Sequence, residues 1–403
     1  MESSAAVAPG TAERSRPARP RVHILTRRVA LVVVIWALSH AAVELAGVVW
    51  SSVRNPGALT GPGSFFLLLA HWDSENYANV AQYGYFAPQS LPFTQAFLPG
   101  YPLVSRFLAE AAFITVSPTP LEIAIAMWTV TAAASLGSAI LLWRLVLPRF
   151  GPATAVGAVV LMLAGPYALF LVASYPEGLY LVPALGAWLA MRDGRWLLAG
   201  VLTALAGTIR IETVFLAVAL VVLFALRQRR LHAPWVARAL GFVVVGSLGV
   251  VWYFAWLWRR TGDPLAWFHA EQTAWHRSTH WPWQAFERTL TMATSPEVVR
   301  AGHIQAWMDI VFACLYVLGV VVLIARRWWP EAVYVGLATL SMITSYAFTS
   351  IARESTVQFP LMVLVASTLR SRRWRWVFWV VAVLGILVVL AQSARFSVGD
   401  WSD

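Results

Sequence analysis

Apolar segments of membrane-spanning length recur along almost the whole sequence, and short arginine clusters separate them. A helix needs about 20 such residues to cross the hydrocarbon of a bilayer. Hydrophobic residues make up 59% of the chain and charged residues only 12%, which is roughly half the charged share of a soluble domain. The sequence therefore predicts an all-α polytopic membrane protein.

The arginine clusters predict the topology of this bundle. Every basic residue is arginine, and the clusters include 227–230, 326–327 and 370–375. Arginine-rich loops are typical of the cytoplasmic side. Placing all clusters there gives about 11 transmembrane helices in one domain over 29–396, with the N-terminus inside and the C-terminus outside. The net charge of +11 is thereby explained by topology, and no nucleic-acid partner is predicted.

This topology leaves two long loops outside the cytoplasm, 51–121 and 259–304. The two ends of the chain are not expected to be part of the helical bundle. Residues 1–28 are rich in alanine, proline and arginine and are expected to form a disordered basic cytoplasmic segment. Residues 397–403 are expected to form a short tail.

The first long loop contains the longest early polar interruption, which spans 71–102 and reads HWDSENYANVAQYGYFAPQSLPFTQAFLPGYP. Residues 101–115 are apolar but short, and Arg106 and Glu110 lie four positions apart within them. Such a segment favours an interfacial helix over a full crossing. We therefore expect interfacial helices within this loop.

Chemically versatile side chains collect on the outer side of the predicted topology. A carboxylate such as Asp73 can take a proton from an attacking hydroxyl, and arginine binds phosphate in a bidentate fork. The cytoplasmic turns contain no glycine-rich phosphate cradle, so a lipid-linked activated donor is the natural substrate. Asp73 is the predicted base, and Arg210 and Arg353 are the predicted ligands of the donor phosphate. Further substrate-binding candidates are Trp72, Glu75, Tyr175, Glu177, Glu212, Trp275 and Arg277.

Each of these residues also has a structural interpretation. Asp73 could cap a helix that starts at Ser74. Local ion pairs could form between Arg210 and Glu212 and between Arg353 and Glu354. In the first span, His40 and Glu44 lie one turn apart on one face and could satisfy each other.

Metal binding and disulfide formation have little support. His276 and His280 have helical i, i+4 spacing, which suits a zinc pair, but no cysteine or third ligand accompanies them. No metal or cofactor is predicted, although a divalent-metal requirement stays open. The chain has one cysteine, so no intramolecular disulfide can form.

An ordered set of motifs resembles the PIG-V-like mannosyltransferases, relatives of the second mannosyltransferase of GPI-anchor assembly. The motifs are W-D-S-x-x-Y at 72–77, G-Y at 84–85, A-F-L-P-G-Y-P at 96–102, and the segments 174–179, 194–210, 262–264, 275–277, 353 and 359–360. The chain resembles an actinobacterial-type member of this family. Departures at Asn76, 175–177 and 211–212 bear on the acceptor.

The resemblance implies a GT-C-like bundle whose long first outer loop contains interfacial helices. It implies an inverting, one-step transfer from a polyprenyl- or dolichyl-phosphate-mannose, and the position of the family's base falls on Asp73. The expected protein transfers mannose to a hydroxyl of a lipid or glycan acceptor on the outer face of the cell membrane. The identity of the acceptor, the sugar, the prenyl length and the oligomeric state stay open.

The alternative function is a transporter or flippase for a lipid-linked sugar. Such proteins often have inverted repeats with interrupted spans in matching halves. The chain has no convincing internal repeat, and its two long outer loops differ. A polar path through the full membrane depth would favour transport, whereas a cavity open only to the outer side would favour transfer.

Overall fold

Helices account for nearly all regular structure in the chain. The computed structural model describes residues 21–57, 59–61, 63–227, 233–298 and 300–400, and no β-strand occurs in these ranges. The expected all-α class is therefore confirmed. Residues 1–20, 228–230 of one arginine cluster, and 401–403 lie outside the described residues. The helix that contains the first predicted span already begins at Arg21.

The helices of the described ranges are, in chain order, α1 (Arg21–Arg54), α2 (Ser64–Leu67), α3 (Asp73–Tyr83), α4 (Gly100–Phe113), α5 (Pro120–Phe150), α6 (Pro152–Ala164), α7 (Glu177–Arg192), α8 (Trp196–Gly207), α9 (Thr213–Leu226), α10 (Ala233–Thr261), α11 (Ala266–Trp275), α12 (Pro282–Thr294), α13 (Arg300–Ala325), α14 (Trp329–Ile343), α15 (Phe359–Ala366) and α16 (Arg375–Phe396). Short 3-10 helices lie at Thr94–Ala96, Ala168–Leu171, Arg353–Thr356 and Ser367–Arg370.

Five helices of the described chain are long and apolar enough to cross a membrane, namely α1, α5, α10, α13 and α16. An apolar helix also lies in each of the other predicted spans, but these helices are shorter. The 13 residues of α6, for example, extend over about 20 Å of a hydrocarbon layer about 30 Å thick. The chain is thus a multi-pass helical membrane protein that combines long spans with short helices.

Polar side chains of α1 join it to α5. The Oγ of Ser135 lies 3.1 Å from His40 Nε2, and Trp128 Nε1 donates a hydrogen bond to a Glu44 oxygen at 3.0 Å. The expectation that His40 and Glu44 satisfy each other is therefore wrong. Their shared face points toward α5, where each side chain finds its own partner.

The first outer loop is anchored on the break between α8 and α9. The Gly100 amide donates to the Thr208 carbonyl at 2.7 Å. A Cβ at Gly100 would lie 2.6 Å from Ile209 Cγ1 and 2.8 Å from the Thr208 oxygen, so only glycine permits this approach. The contact holds the loop that follows Asp73 against the segment that carries Arg210.

The short helix expected within 101–115 is α4. Its Arg106 and Glu110 form an ion pair at 2.7 Å, and Arg106 also donates to the carbonyls of Ala81 and Gln82 at the end of α3. These bonds satisfy carbonyls that a helix C-terminus leaves without an intrahelical partner. The interfacial placement of α4 stays a prediction.

Candidate active site

Asp73 is the first residue of α3, and its carboxylate bonds to a residue far along the sequence. The preceding Trp72 has a φ of 61° and provides no side-chain cap. Asp73 Oδ2 accepts a hydrogen bond from Arg353 Nη1 at 2.6 Å. The capping alternative for Asp73 is therefore wrong, because Asp73 is already the first helical residue and Trp72 takes the N-cap position without a side-chain cap. The Asp73 side chain is 24% exposed.

Arg353 lies in the 3-10 helix Arg353–Thr356 and is nearly buried. Its Nε and Nη2 both lie 2.8 Å from Glu177 Oε1. Its guanidinium also lies over the rings of Phe170 and Tyr175, at 4.8 and 4.6 Å from their centroids. Cation–π contacts of this kind strengthen when the site is desolvated. Arg353 is thus fixed by two carboxylates and two aromatic rings.

Glu177 joins the two arginines. It begins α7, is 1% exposed, and accepts from Arg210 Nη1 at 2.9 Å as well as from Arg353. Arg210 lies in the break between α8 and α9 and also pairs with Glu212 at 3.3 Å. The predicted local pair of Arg210 and Glu212 is therefore present.

The predicted pair of Arg353 with its neighbour Glu354 is replaced by a contact across the fold. Glu354 Oε1 accepts from Arg210 Nη2. Successive residues of a 3-10 helix point about 120° apart, so Arg353 and Glu354 are directed toward different partners. Asp73, Arg353, Glu177, Arg210, Glu212 and Glu354 together form what we call the ion-pair chain.

The ion-pair chain contains four carboxylates and two guanidiniums, a surplus of negative charge in a mostly buried site. Burial raises the pKa of Glu354, because desolvation disfavours the charged carboxylate more than Arg210 favours it. Burial also acts to raise the pKa of Glu212, but Arg210 outweighs it and the pKa is lowered. Burial alone would lower the pKa of Arg210, but the surrounding carboxylates raise it.

Two carboxylate oxygens of the ion-pair chain have hydrogen-bonding capacity that no described residue uses. Oε2 of Glu177 and Oε2 of Glu354 are buried and have no hydrogen-bond partner among the described residues. Buried acceptors without a partner are rare in stable proteins. A substrate hydroxyl or a bound proton would satisfy them.

The second outer loop flanks this site. Arg277 pairs with Glu271 of α11 at 3.3 Å and is half exposed, and its charge acts to lower the pKa of Glu212. Burial raises the pKa of Glu271. The Trp275 ring packs edge-on against Phe97 at 5.3 Å. The two outer loops therefore meet beside the ion-pair chain.

The sequence-predicted site residues fall into three groups. Asp73, Glu177, Arg210, Glu212 and Arg353 come together in the ion-pair chain. Tyr175 is buried under Arg353 and donates to the His71 carbonyl at 2.9 Å, which makes it a support of the site. Flanking or surface positions are taken by Trp72, Glu75, Trp275 and Arg277.

Sequence reasoning missed Glu354 as a cross-fold partner and missed Glu271 altogether, and it gave Tyr77 only as the last residue of the W-D-S-x-x-Y motif. Burial raises the pKa of Tyr77, with the charge of Asp73 adding to the effect. Glu271 lies six residues before Arg277 in the predicted outer loop. Assigning each charged residue to one side of the membrane would therefore have included Glu271 among the candidates. Nothing in the sequence pattern predicts that Tyr77 is buried or that Glu354 pairs with Arg210.

The fold and this site define a multi-pass helical membrane protein with a buried, charged polar centre. A family model described as mannosyltransferase (PIG-V) matches residues 62–231. The match covers less than half of the chain, and it confirms the resemblance to mannosyltransferases over the region that carries Asp73, Glu177 and Arg210.

Two solved structures are similar to this chain over most of its length. ArnT from Cupriavidus metallidurans bound to undecaprenyl phosphate is 14% identical, with a TM-score of 0.48, over 94% of this chain and 75% of that chain. The apo oligosaccharyltransferase of Archaeoglobus fulgidus is 11% identical, also with a TM-score of 0.48, over 91% of this chain and 56% of that chain. No curated protein sequence matches the chain.

Proposed function

We propose that the chain is an inverting mannosyltransferase that uses a polyprenyl-phosphate-mannose donor. Its acceptor is a hydroxyl of a lipid or glycan on the extracytoplasmic side of the cell membrane, and Asp73 is the general base. The observation that carries the proposal is the ion-pair chain. It joins Asp73, Glu177, Arg210 and Arg353 from four separate parts of the sequence, and Asp73 stands at its partly exposed end.

In the proposed reaction, Asp73 removes the proton from the acceptor hydroxyl. The acceptor oxygen forms a bond to C1 of mannose while the bond from C1 to the phosphate oxygen breaks. The electron pair of the broken bond goes to the phosphate, so polyprenyl phosphate leaves and Asp73 later releases its proton to water. Inversion at C1 converts a β-linked donor into an α-mannoside.

Arg353 and Arg210 stabilise the negative charge that grows on the departing phosphate. Both guanidiniums are already paired with carboxylates, so the donor phosphate has to replace one of them. On Arg353 the carboxylate free to leave is Asp73, because it is 24% exposed whereas Glu177 is 1% exposed. Donor binding would then release Asp73 from its ion pair at the moment when a base is needed.

The proposed side of the membrane follows from the charges at the two ends of the bundle. The ion-pair chain lies where α3, α7 and α9 begin, whereas Arg149 at the end of α5 pairs with Glu331 at the start of α14 at 2.8 Å. The arginine clusters at 326–327 and 370–375 lie at the same end of the bundle as this pair, after the end of α13 and before the start of α16. Arginine clusters are usually retained in the cytoplasm. We therefore propose that Asp73, at the other end of the bundle, lies on the extracytoplasmic side. The whole bundle is one domain over 29–396 in this proposal.

The test is a transfer assay on the purified protein in lipid nanodiscs. Radiolabelled polyprenyl-phosphate-mannose and a lipid extract of membranes should give a labelled α-mannoside. Asp73→Asn should lower kcat by about 10²- to 10⁴-fold, the usual contribution of a general base. Glu287→Gln, which makes the same change at an exposed carboxylate of α12, should leave kcat unchanged.

A folded Asp73→Asn protein that retains full turnover would exclude Asp73 as the base. Thermal unfolding of each variant shows whether it is folded. Other polyprenyl-phosphate sugars are then added as competitors of the labelled donor. Only compounds that carry the sugar used by the enzyme should inhibit transfer at low concentration, which identifies the donor sugar.

A further inference from the structure

A polar pocket of about 580 Å³ opens at the end of the bundle that carries the arginine clusters. Its walls come from the end of α5, the turn after α13, the 3-10 helix Ser367–Arg370 and the residues before α16. We call it the Arg326 pocket. No residue of the ion-pair chain lines it, so it is separate from the candidate active site. Its lining residues with polar side chains are Arg326, Ser367, Thr368, Arg370 and Ser371.

The two guanidiniums of the Arg326 pocket carry charge that no carboxylate of the described residues neutralises. The ion pairs in this part of the chain include neither Arg326 nor Arg370. Arg326 Nη1 instead donates to Ser367 Oγ at 3.1 Å, which fixes its direction along the pocket wall. Glu331, at the start of α14, is already paired with Arg149 at 2.8 Å. The pocket is therefore a basic site without a counter-charge.

The aromatic wall of the Arg326 pocket is held in place from behind. Phe150 and Trp328 line the pocket, and their ring centroids are 5.0 Å apart. The guanidinium of Arg149 lies 4.9 Å from the Phe150 ring and 4.7 Å from the Trp328 ring, and Glu331 fixes this guanidinium in turn. A wall that is already ordered lowers the entropic cost of binding a ligand.

Exposed tryptophans indicate the level of the pocket relative to the bilayer. Tryptophan is enriched where the hydrocarbon meets the headgroups. Four tryptophans around the pocket are between 43% and 59% exposed, and Trp374 also lines the pocket itself. The mouth of the pocket therefore lies at the level of the lipid headgroups. The four residues are Trp329, Trp374, Trp376 and Trp379.

We propose that the Arg326 pocket binds the headgroup of an anionic phospholipid, whose acyl chains stay in the bilayer. Arg326 and Arg370 donate to the phosphodiester oxygens, because a guanidinium matches a phosphate in a bidentate fork. The hydroxyl of Ser371 is available to the rest of the headgroup. Basic pockets between membrane helices are known to bind such headgroups. This proposal goes beyond the proposed function and does not depend on it.

A soluble phosphate compound has the same charged group and is the alternative ligand. We favour the lipid because the pocket opens at the level of the tryptophans, where anionic headgroups are concentrated on the side that we propose to be cytoplasmic. A soluble anion gains nothing from this location. The two sources of phosphate are therefore separate arms of the test.

The direct experiment is native mass spectrometry of the purified full-length protein during titration with phosphatidylglycerol. The protein should retain phosphatidylglycerol, and it should not retain phosphatidylcholine with the same acyl chains, because the choline neutralises the phosphate. Glycerol 3-phosphate and inorganic phosphate should not displace the bound lipid. Equal retention of the two phospholipids would overturn the proposal, and so would displacement by either soluble anion at the concentration of the lipid.

Charge variants determine whether the bound lipid lies in the Arg326 pocket. Arg326→Gln and Arg370→Gln should each raise the Kd for phosphatidylglycerol by about tenfold, the usual loss for one hydrogen bond to a charged group. Arg144→Gln removes the same charge from an exposed position of α5 outside the pocket and should leave Kd unchanged. Equal increases in all three variants would show a general attraction of positive charge and contradict the proposal.

A second pair of variants fills the pocket without changing its charge. Ser371→Trp adds bulk to the pocket wall, and Ser247→Trp makes the same change at an exposed position of α10 outside the pocket. Phosphatidylglycerol should raise the unfolding midpoint of the wild type and of Ser247→Trp, because a ligand of the folded state stabilises it. It should not raise the midpoint of Ser371→Trp. An equal rise in Ser371→Trp would contradict the proposal, and the midpoints without lipid show whether each variant is folded.

Discussion

Glu177 is the residue on which the geometry of the ion-pair chain depends. It is almost fully buried, and it binds both guanidiniums through one oxygen. The attraction of the two arginines offsets the cost of burying this carboxylate only while both partners remain. Glu212 binds Arg210 alone and is 22% exposed, so water screens its charge. The two glutamates therefore contribute differently although both pair with Arg210.

Glu177→Gln should consequently lower the free energy of unfolding by about 3–5 kcal/mol, the usual effect of breaking a buried pair. Glu212→Gln should lower it by less, because Glu212 is 22% exposed and Arg210 keeps Glu177 and Glu354 as partners. Thermal unfolding of both variants in the same detergent measures the difference. Equal midpoints would show that Glu177 is solvated in the membrane-bound protein.

Glu354 gives the site a pH dependence. Because burial raises its pKa above the ordinary value of 4.5, the folded state binds this proton more tightly than the unfolded state. The resulting stabilisation is complete below pH 4.5 and is lost as the pH rises through the higher folded-state value. Against Glu354→Gln, which never ionises, the wild-type midpoint should therefore fall as the pH rises. A difference that does not change with pH would contradict the raised pKa.

From the sequence, it was easier to predict which residues form the site than which of them contact each other. Sorting charges by membrane side brought Asp73, Arg210 and Arg353 together, because a bundle has only two polar ends. It could not assign Glu354 to Arg210, since partners so distant in sequence are chosen by helix packing. Neighbouring positions suggested a pair of Arg353 with Glu354, but the turn of the 3-10 helix separates them.

At the level of elements, the break between α8 and α9 positions Arg210. Two short apolar helices meet there instead of one continuous span, and the backbone between them receives the Gly100 amide. The apolar run over 196–226 is 31 residues long, which is too long for one crossing and therefore predicts two short spans with a break between them. The contact with Gly100 was not predictable, since it joins two loops that lie far apart in sequence.

Gly100→Ala should disturb this junction. The added Cβ would meet the Thr208 backbone oxygen at 2.8 Å, and such overpacking costs about 1–3 kcal/mol. Thermal unfolding should show a lower midpoint, and transfer activity should fall because Arg210 shifts. Gly61→Ala is the control, since nothing lies within 4 Å of its Cβ in the same outer loop. Equal midpoints for the two variants would mean that the loop can move away without loss.

The whole molecule separates charge between its two ends. One end carries arginine turns with few carboxylates, and the other carries a buried site in which carboxylates outnumber arginines. Composition predicted this polarity, and the eleven predicted spans each contain a helix. Hydropathy could not predict that several helices are too short to cross alone, because their length depends on how they pack.

The sidedness of the site determines which donors can reach it. A site outside the cytoplasm has no access to nucleotide sugars and depends on lipid-linked ones, so an inverted bundle would remove the reason for a polyprenyl donor. In a Cys314→Ser background, Glu287→Cys on α12 should react with a membrane-impermeant maleimide in intact cells. Arg372→Cys should react only after lysis, because its arginine cluster is retained inside. The opposite labelling pattern would place Asp73 in the cytoplasm and require a soluble donor, even if the ion-pair chain were unchanged.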